Sequence, residues 1–125
     1  MQHQSPIING DGNYSRDFTY IDNVIHMNEL AMTTTQPEAI NTVFNTAFGD
    51  RNTLNDLVGY LKAYLGEYDE SIKNIPIEYG PNRAGDIPHS LASIDKAQRL
   101  LGYAPQFSLQ QGLKEAVGWY WEHLK

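Results

Sequence analysis

Cysteine is absent from the 125 residues, which excludes a disulfide framework and any thiolate metal site. That fits a reducing compartment, so cytoplasm is the default expectation. No apolar run approaches the roughly 20 residues that a membrane-spanning helix needs, and the polar opening Met1-Gln2-His3-Gln4 carries no signal-peptide core. Positive charge is scarce as well: 9 lysines and arginines against 15 acids leave a net charge of −6. Such a balance disfavours nonspecific hold on nucleic acid or an anionic membrane, so an anionic ligand has to be small and held by focused arginines. Missing too is a glycine-rich turn of the G-x-G-x-x-G kind after a strand, and with it the usual dinucleotide cradle.

What is present suffices for one modest core. Hydrophobic residues make up 41% of the chain, with 8 tyrosines, 4 phenylalanines and 2 tryptophans supplying large apolar surfaces, and a single unit over residues 1–125 is expected. Two segments far apart in the chain stand out, Asn9-Gly10-Asp11-Gly12-Asn13-Tyr14-Ser15-Arg16-Asp17 and Arg83-Ala84-Gly85-Asp86-Ile87-Pro88-His89-Ser90. Each sets a guanidinium beside turn-forming glycines. Two planar forks of donors suit a diphosphate better than ammonium point charges do.

The patterns along the chain predict an α/β unit. Pro6-Ile7-Ile8 reads as a short strand that enters a hairpin or tight loop at Gly10 and Gly12. Asp22 is a candidate cap for a helix over 22–34, apolar on more than one face and therefore expected to be covered on more than one side. The run 43–48 reads as a buried strand closed by Gly49. Thr53 with Asp56 forms a capping-box pattern for a helix that Gly66 would end, and Ser108 with Gln111 forms another. Residues 75–79 suggest an edge strand containing Pro76, and Ile87 a further one. Ser93 would open a short helix closed by Gly102 and Pro105. Along the last helix, Leu109, Leu113, Val117, Tyr120 and Leu124 share one face.

The ordered set Ile-Asn-Gly-Asp-Gly, Ser-Arg-Asp-Phe-x-Tyr-Ile, Phe-Asn before a glycine and a capped helix, Arg-x-Gly-Asp-x-x-His-Ser and Leu-Leu-Gly-Tyr-x-Pro closely resembles the C-terminal part of nucleotide-sugar 4-epimerases. These are extended short-chain dehydrogenase/reductases, and the likeness is strongest to bacterial UDP-N-acetylglucosamine 4-epimerases. The resemblance covers nearly the whole chain and implies the substrate-binding lobe, without most of the Rossmann domain. It implies NAD in the parent enzyme, which oxidises the sugar at C4 and reduces it from the other face, and an upstream Rossmann domain as partner. The family's cofactor loop and its Tyr-x-x-x-Lys pair are not in this sequence, so no catalytic or cofactor-binding residue is expected here, and neither histidine nor aspartate spacing suggests a metal site. Family dimers use helices of the cofactor domain, so any homo-oligomer of this chain would be of another kind.

By the same resemblance Arg16 and Arg83 would hold the UDP diphosphate, Asp86 would accept from the ribose hydroxyls, and Ile7, Ile8 and Asn9 would line the uracil. Ser90 would lie beside the sugar, where a small residue admits an N-acetyl group. Each has a plainer alternative: a surface ion pair for the arginines, a core strand for 7–9, a local backbone bond for Ser90. His89 and the other histidines lack a placed partner or metal spacing. Other possibilities in the same superfamily are a UDP-glucose 4-epimerase, a UDP-glucuronate epimerase or a nucleotide-sugar dehydratase. From another class, the chain alone could be a non-catalytic binding or interaction module.

Overall fold

The computed structural model describes residues 3–124, so Met1, Gln2 and Lys125, with half of the polar opening and the last residue of the 1–125 unit, lie outside the described residues. In order, the elements are β1 (Ile7–Asn9), β2 (Ser15–Arg16), α1 (Ile21–Thr33), a 3-10 turn at Pro37–Ala39, β3 (Asn52–Thr53), α2 (Leu54–Tyr68), a second 3-10 turn at Glu70–Asn74, β4 (Glu78–Gly80), α3 (Asp95–Leu101) and α4 (Leu109–His123). Among the described residues no helix is long and apolar enough to cross a membrane.

Both expected capping boxes form. The Thr53 side chain accepts from the Asp56 amide while the Asp56 carboxylate accepts from the Thr53 amide, and Ser108 and Gln111 do the same for α4. Each pair satisfies two backbone donors that a helix start otherwise leaves open. Other expected boundaries moved. Helix α1 starts at Ile21 from an N-cap Tyr20 that gives no side-chain bond, and Asp22 lies inside the first turn, where its charge suits the helix dipole. Gly66 does not end α2, which runs to Tyr68; the glycine is buried there because the Lys73 side chain crosses it, with Lys73 Cγ 2.5 Å from where a Cβ would stand. Ser93 does not open α3 either. The N-cap is Ile94, and the Ser93 carbonyl accepts instead from Asn45 Nδ2.

The strands form two small pairs. β1 runs parallel to β4, with Ile8 opposite Tyr79, and β2 runs antiparallel to β3, with Arg16 opposite Asn52. Because β1 and β2 belong to different sheets, the glycines between them make a tight loop and not a hairpin. Pro76 stays outside the ladder, consistent with its missing donor, and no strand begins at Ile87; the chain rejoins at His89 as a single bridge to Ser15. The expected strand at 43–48 is irregular chain in which Val43 is 85% exposed and Ala47 is buried. Its backbone is satisfied by side chains: Asp17 accepts from the Phe48 and Gly49 amides, and Lys96 donates to the Val43 carbonyl. An apolar run becomes a strand only against a neighbouring ladder, and among the described residues none faces it.

The core joins α1, α3 and the irregular segment through Met27, Ala39, Ala47, Ile94, Ala97, Leu101 and Tyr103. Tyr103 is fully buried, and its hydroxyl donates to the Ala47 carbonyl at 2.9 Å. Burial, reinforced by the Asp17 charge, pushes that hydroxyl's pKa up, which keeps it a donor. On the other side, α2 packs on α4, and Tyr68 stacks on Trp121 with ring centroids 5.2 Å apart. The expected face of α4 is covered only as far as Val117; Tyr120 and Leu124 emerge into solvent.

Candidate functional site

The carboxyl ends of two parallel strands meet two loops. From β1 the chain turns at Gly10, whose amide donates to the Gly80 carbonyl at the end of β4. A side chain at Gly10 would stand 2.2 Å from Asn82 Oδ1, so the glycine lets the 81–86 loop lie directly over the turn. Gly12 takes φ +78, and a Cβ there would meet Asn55 Oδ1 at 2.1 Å. Asn55, in the first turn of α2, donates to the Asp11 carbonyl and thereby ties the loop to the helix. Asp11 has the turn role its position suggests: the Asn13 backbone amide, then the Asn13 side chain, donate to its carboxylate and hold its pKa below the ordinary value.

This scaffold fixes both arginines. Arg16 sits on β2, which is held by β3 on one side and on the other by the Ser15 amide to the Pro88 carbonyl and the Ser90 amide to the Ser15 carbonyl. Arg83 begins a turn in which the Asp86 amide returns to the Arg83 carbonyl, and Gly85 takes φ +78, a value that favours glycine at this third position. The result is an open cleft of about 420 Å³ lined by Ile7, Ile8, Asn9, Arg16, Leu54, Val58, Arg83 and Asp86. Arg16 Nη1 donates to the Ser15 carbonyl at 2.8 Å, and Nη2 donates to Asp86 Oδ1 at 2.5 Å. Arg83 is exposed, and its side chain makes no hydrogen bond or ion pair among the described residues. The volume lies within the range of small-ligand pockets, and a crevice beyond the carboxyl ends of parallel strands is where α/β proteins commonly bind ligands.

Six of the seven expected residues therefore share one cleft. Ser90 does not line it; it is exposed, and its amide is spent on the Ser15 carbonyl. His89 does have a placed neighbour, since its Nδ1 lies 2.9 Å from the Oγ of buried Ser15. Leu54 and Val58 were not foreseen as site residues. They are one helical turn apart on α2, and their spacing reads equally well as core. A more apolar hollow of about 330 Å³ lies beside the cleft, lined by His3, Pro6, Leu61, Lys62, Leu65 and Ile72 among others. No arginine reaches it, and the Lys62 ammonium is engaged by the Ile75 carbonyl. The cleft with two guanidinium groups is the chemically equipped one.

Residues 1–116 match the family model described as GDP-mannose 4,6 dehydratase. The chain belongs to that family. It is thus an extended short-chain dehydrogenase/reductase of the nucleotide-sugar group, as the ordered motifs implied. Among similar solved structures is UDP-glucose 4-epimerase from Thermotoga maritima with UDP-glucose, 36% identical, TM-score 0.84, with 99% of this chain and 37% of that one covered. UDP-glucuronic acid 4-epimerase from Bacillus cereus, in complex with UDP-glucuronic acid and NAD, is 31% identical with TM-score 0.83, covering 99% and 37%. UDP-N-acetylglucosamine 4-epimerase from Methanobrevibacter ruminantium, in complex with UDP-N-acetylmuramic acid, is 33% identical with TM-score 0.79, covering 95% and 35%. The chain spans roughly a third of the curated relatives it matches, 35% and 36% for two of them.

β1 leads through its glycine loop into β2 and not into a helix whose N-terminal amides could face a pyrophosphate.

Proposed function

We propose that residues 1–125 form the UDP-sugar-binding unit of an NAD-dependent UDP-sugar 4-epimerase, acting with a Rossmann domain that supplies the cofactor. The observation that carries this reading is the convergence of Arg16, Arg83 and Asp86, from segments about 70 positions apart, on one cleft beyond β1 and β4. The names of the similar solved structures support the ligand class. In the cleft the two guanidinium groups hold the diphosphate from a strand and a loop, each offering forked, always-charged donors. Leu54 and Val58 supply an apolar floor for the base, and β1 supplies backbone groups at 7–9 for its polar edge. Freedom from cysteine suits the cytoplasm.

Titration of the labelled chain with UDP, followed by NMR, is expected to move amides flanking Arg16 and Arg83. Replacing either arginine with alanine removes charge-assisted bonds and should weaken binding by roughly tenfold or more. Perturbations confined to α4 would place the ligand elsewhere.

Within this reading the preferred sugar is a UDP-N-acetylhexosamine, supported by the small side chain of Ser90. The cleft itself does not include that residue, so the test is made in the enzyme completed by its Rossmann domain. Ser90→Tyr should overfill the space beside the 2-N-acetyl group and reduce activity on UDP-N-acetylglucosamine by roughly ten- to a hundredfold, with less effect on UDP-glucose. Equal losses on both sugars, or no loss on the acetylated one, would remove Ser90 from the sugar pocket and with it the support for an N-acetylated substrate.

A further inference from the structure

The Arg16 side chain is held at two points before any ligand arrives, one bond to the Ser15 carbonyl and one to Asp86 Oδ1. Both side chains of the ion pair are partly covered, at 30% and 27% exposure, and both line the cleft. A guanidinium carries five N–H donors in a fixed plane. Two of them are used in these bonds, which leaves three for an incoming anion. On Asp86, Oδ1 accepts this bond, and Oδ2 accepts none among the described residues. The carboxylate also sits in the same turn as Arg83, through the bond from its own amide to the Arg83 carbonyl. One side chain thus connects β2 and the 83–86 turn, the two segments that carry the cationic groups.

We propose that Asp86 is a positioning residue for the diphosphate, acting through Arg16, and not only an acceptor for ribose hydroxyls; this rests on the reading of the cleft given above. Two effects compete. A carboxylate beside the anion repels it and offsets part of the charge that Arg16 presents, an effect screened because both side chains are partly exposed. Against this, an arginine free to rotate loses more side-chain freedom on binding than one whose plane is fixed in advance. The short contact and the double tether make the second effect the larger, so the carboxylate favours anion binding although it carries the same sign.

Inorganic pyrophosphate separates the two roles because it has no ribose. Titrations of the whole chain with pyrophosphate and with uridine, followed by NMR, provide the readout, together with the Arg16 Nε–H resonance. Asp86→Ala should weaken pyrophosphate binding by roughly five- to tenfold, sharpen or shift the Arg16 Nε–H signal toward that of a free arginine, and add nothing further in an Arg16→Ala background. Asp86→Asn, which keeps shape and acceptor but not charge, should fall between, so a loss seen only with a misfolded alanine variant is told apart. Pyrophosphate affinity unchanged or raised in both variants, with uridine alone weakened, would overturn the positioning role. Strictly additive losses from Arg16→Ala and Asp86→Ala would overturn it as well. If pyrophosphate and UDP move no amide near Arg16 or Arg83 in the unaltered chain, the cleft itself is misassigned and the inference goes with it.

Discussion

Asn23 is an amide inside the protein, 1% exposed, with all its side-chain bonds supplied by one stretch of chain. Its Nδ2 donates to the Phe107 carbonyl at 2.7 Å, and its Oδ1 accepts from the Gln106 and Phe107 amides. Those bonds fasten α1 to the segment that leads into α4. Removing them leaves two backbone donors and a carbonyl buried without partners, and each orphaned group costs on the order of 1–3 kcal/mol. Asn23→Ala is therefore expected to lower stability by about 3 kcal/mol in urea unfolding, and a loss under about 1 kcal/mol would mean that water replaces the amide. Nothing in the local pattern singles out Asn23, which stands beside Asp22 in an ordinary first turn. The arginines drew attention through the ordered motifs that carry them, whereas a buried asparagine differs from an exposed one only in what the rest of the chain brings to it.

At the level of elements, glycine exposes how differently two helices are packed. Gly59 on α2 has nothing within 4 Å of where a Cβ would stand, while at Gly112 on α4 that atom would meet Tyr20 Cβ and Cγ at 2.6 Å. Helix propensity alone favours alanine over glycine by about 1 kcal/mol. Gly59→Ala should gain roughly that amount in thermal unfolding. Gly112→Ala should instead lose on the order of 1–3 kcal/mol, because Tyr20 is held at its Cβ and cannot swing away as a chain tip could. Matching gains at both sites would show that Tyr20 and α4 part easily. The two capping boxes were readable because they are local, spanning four residues each. The 43–48 run was misread for the opposite reason: its aromatic and β-branched residues suit a strand, yet its hydrogen bonds go to Asp17 and Lys96, which are about 30 and 50 positions away.

Across the whole molecule, large apolar side chains remain in solvent on α1 and the segment after it. Met32 and Val43 are each 85% exposed, and Ile25 and Ile40 about half. The expectation of a helix covered on several sides is thus met on one side only, by the core around Met27. The relatives it matches are roughly three times as long; under the reading proposed above, this open side would face the Rossmann domain. A chain alone with such a surface should self-associate at high concentration. Sedimentation is expected to show concentration-dependent oligomers that Met32→Glu combined with Val43→Glu reduces; a clean monomer of the unaltered chain at millimolar concentration would show that the open side is not adhesive.

By itself the sequence determined the α/β character, the starts of α2 and α4, the turn at Gly10 and Gly12, and the family. Each depends on residues near one another in the chain, or on motifs whose order survives without coordinates. Tertiary structure decided what those motifs share. It set Arg16 against Asp86 across 70 positions, gave the cleft its Leu54 and Val58 floor, and left Ser90 outside the lining. Such contacts have no local cause, since they arise where parallel pairing of β1 with β4 and the bridge from Ser15 to His89 fold distant loops onto one another.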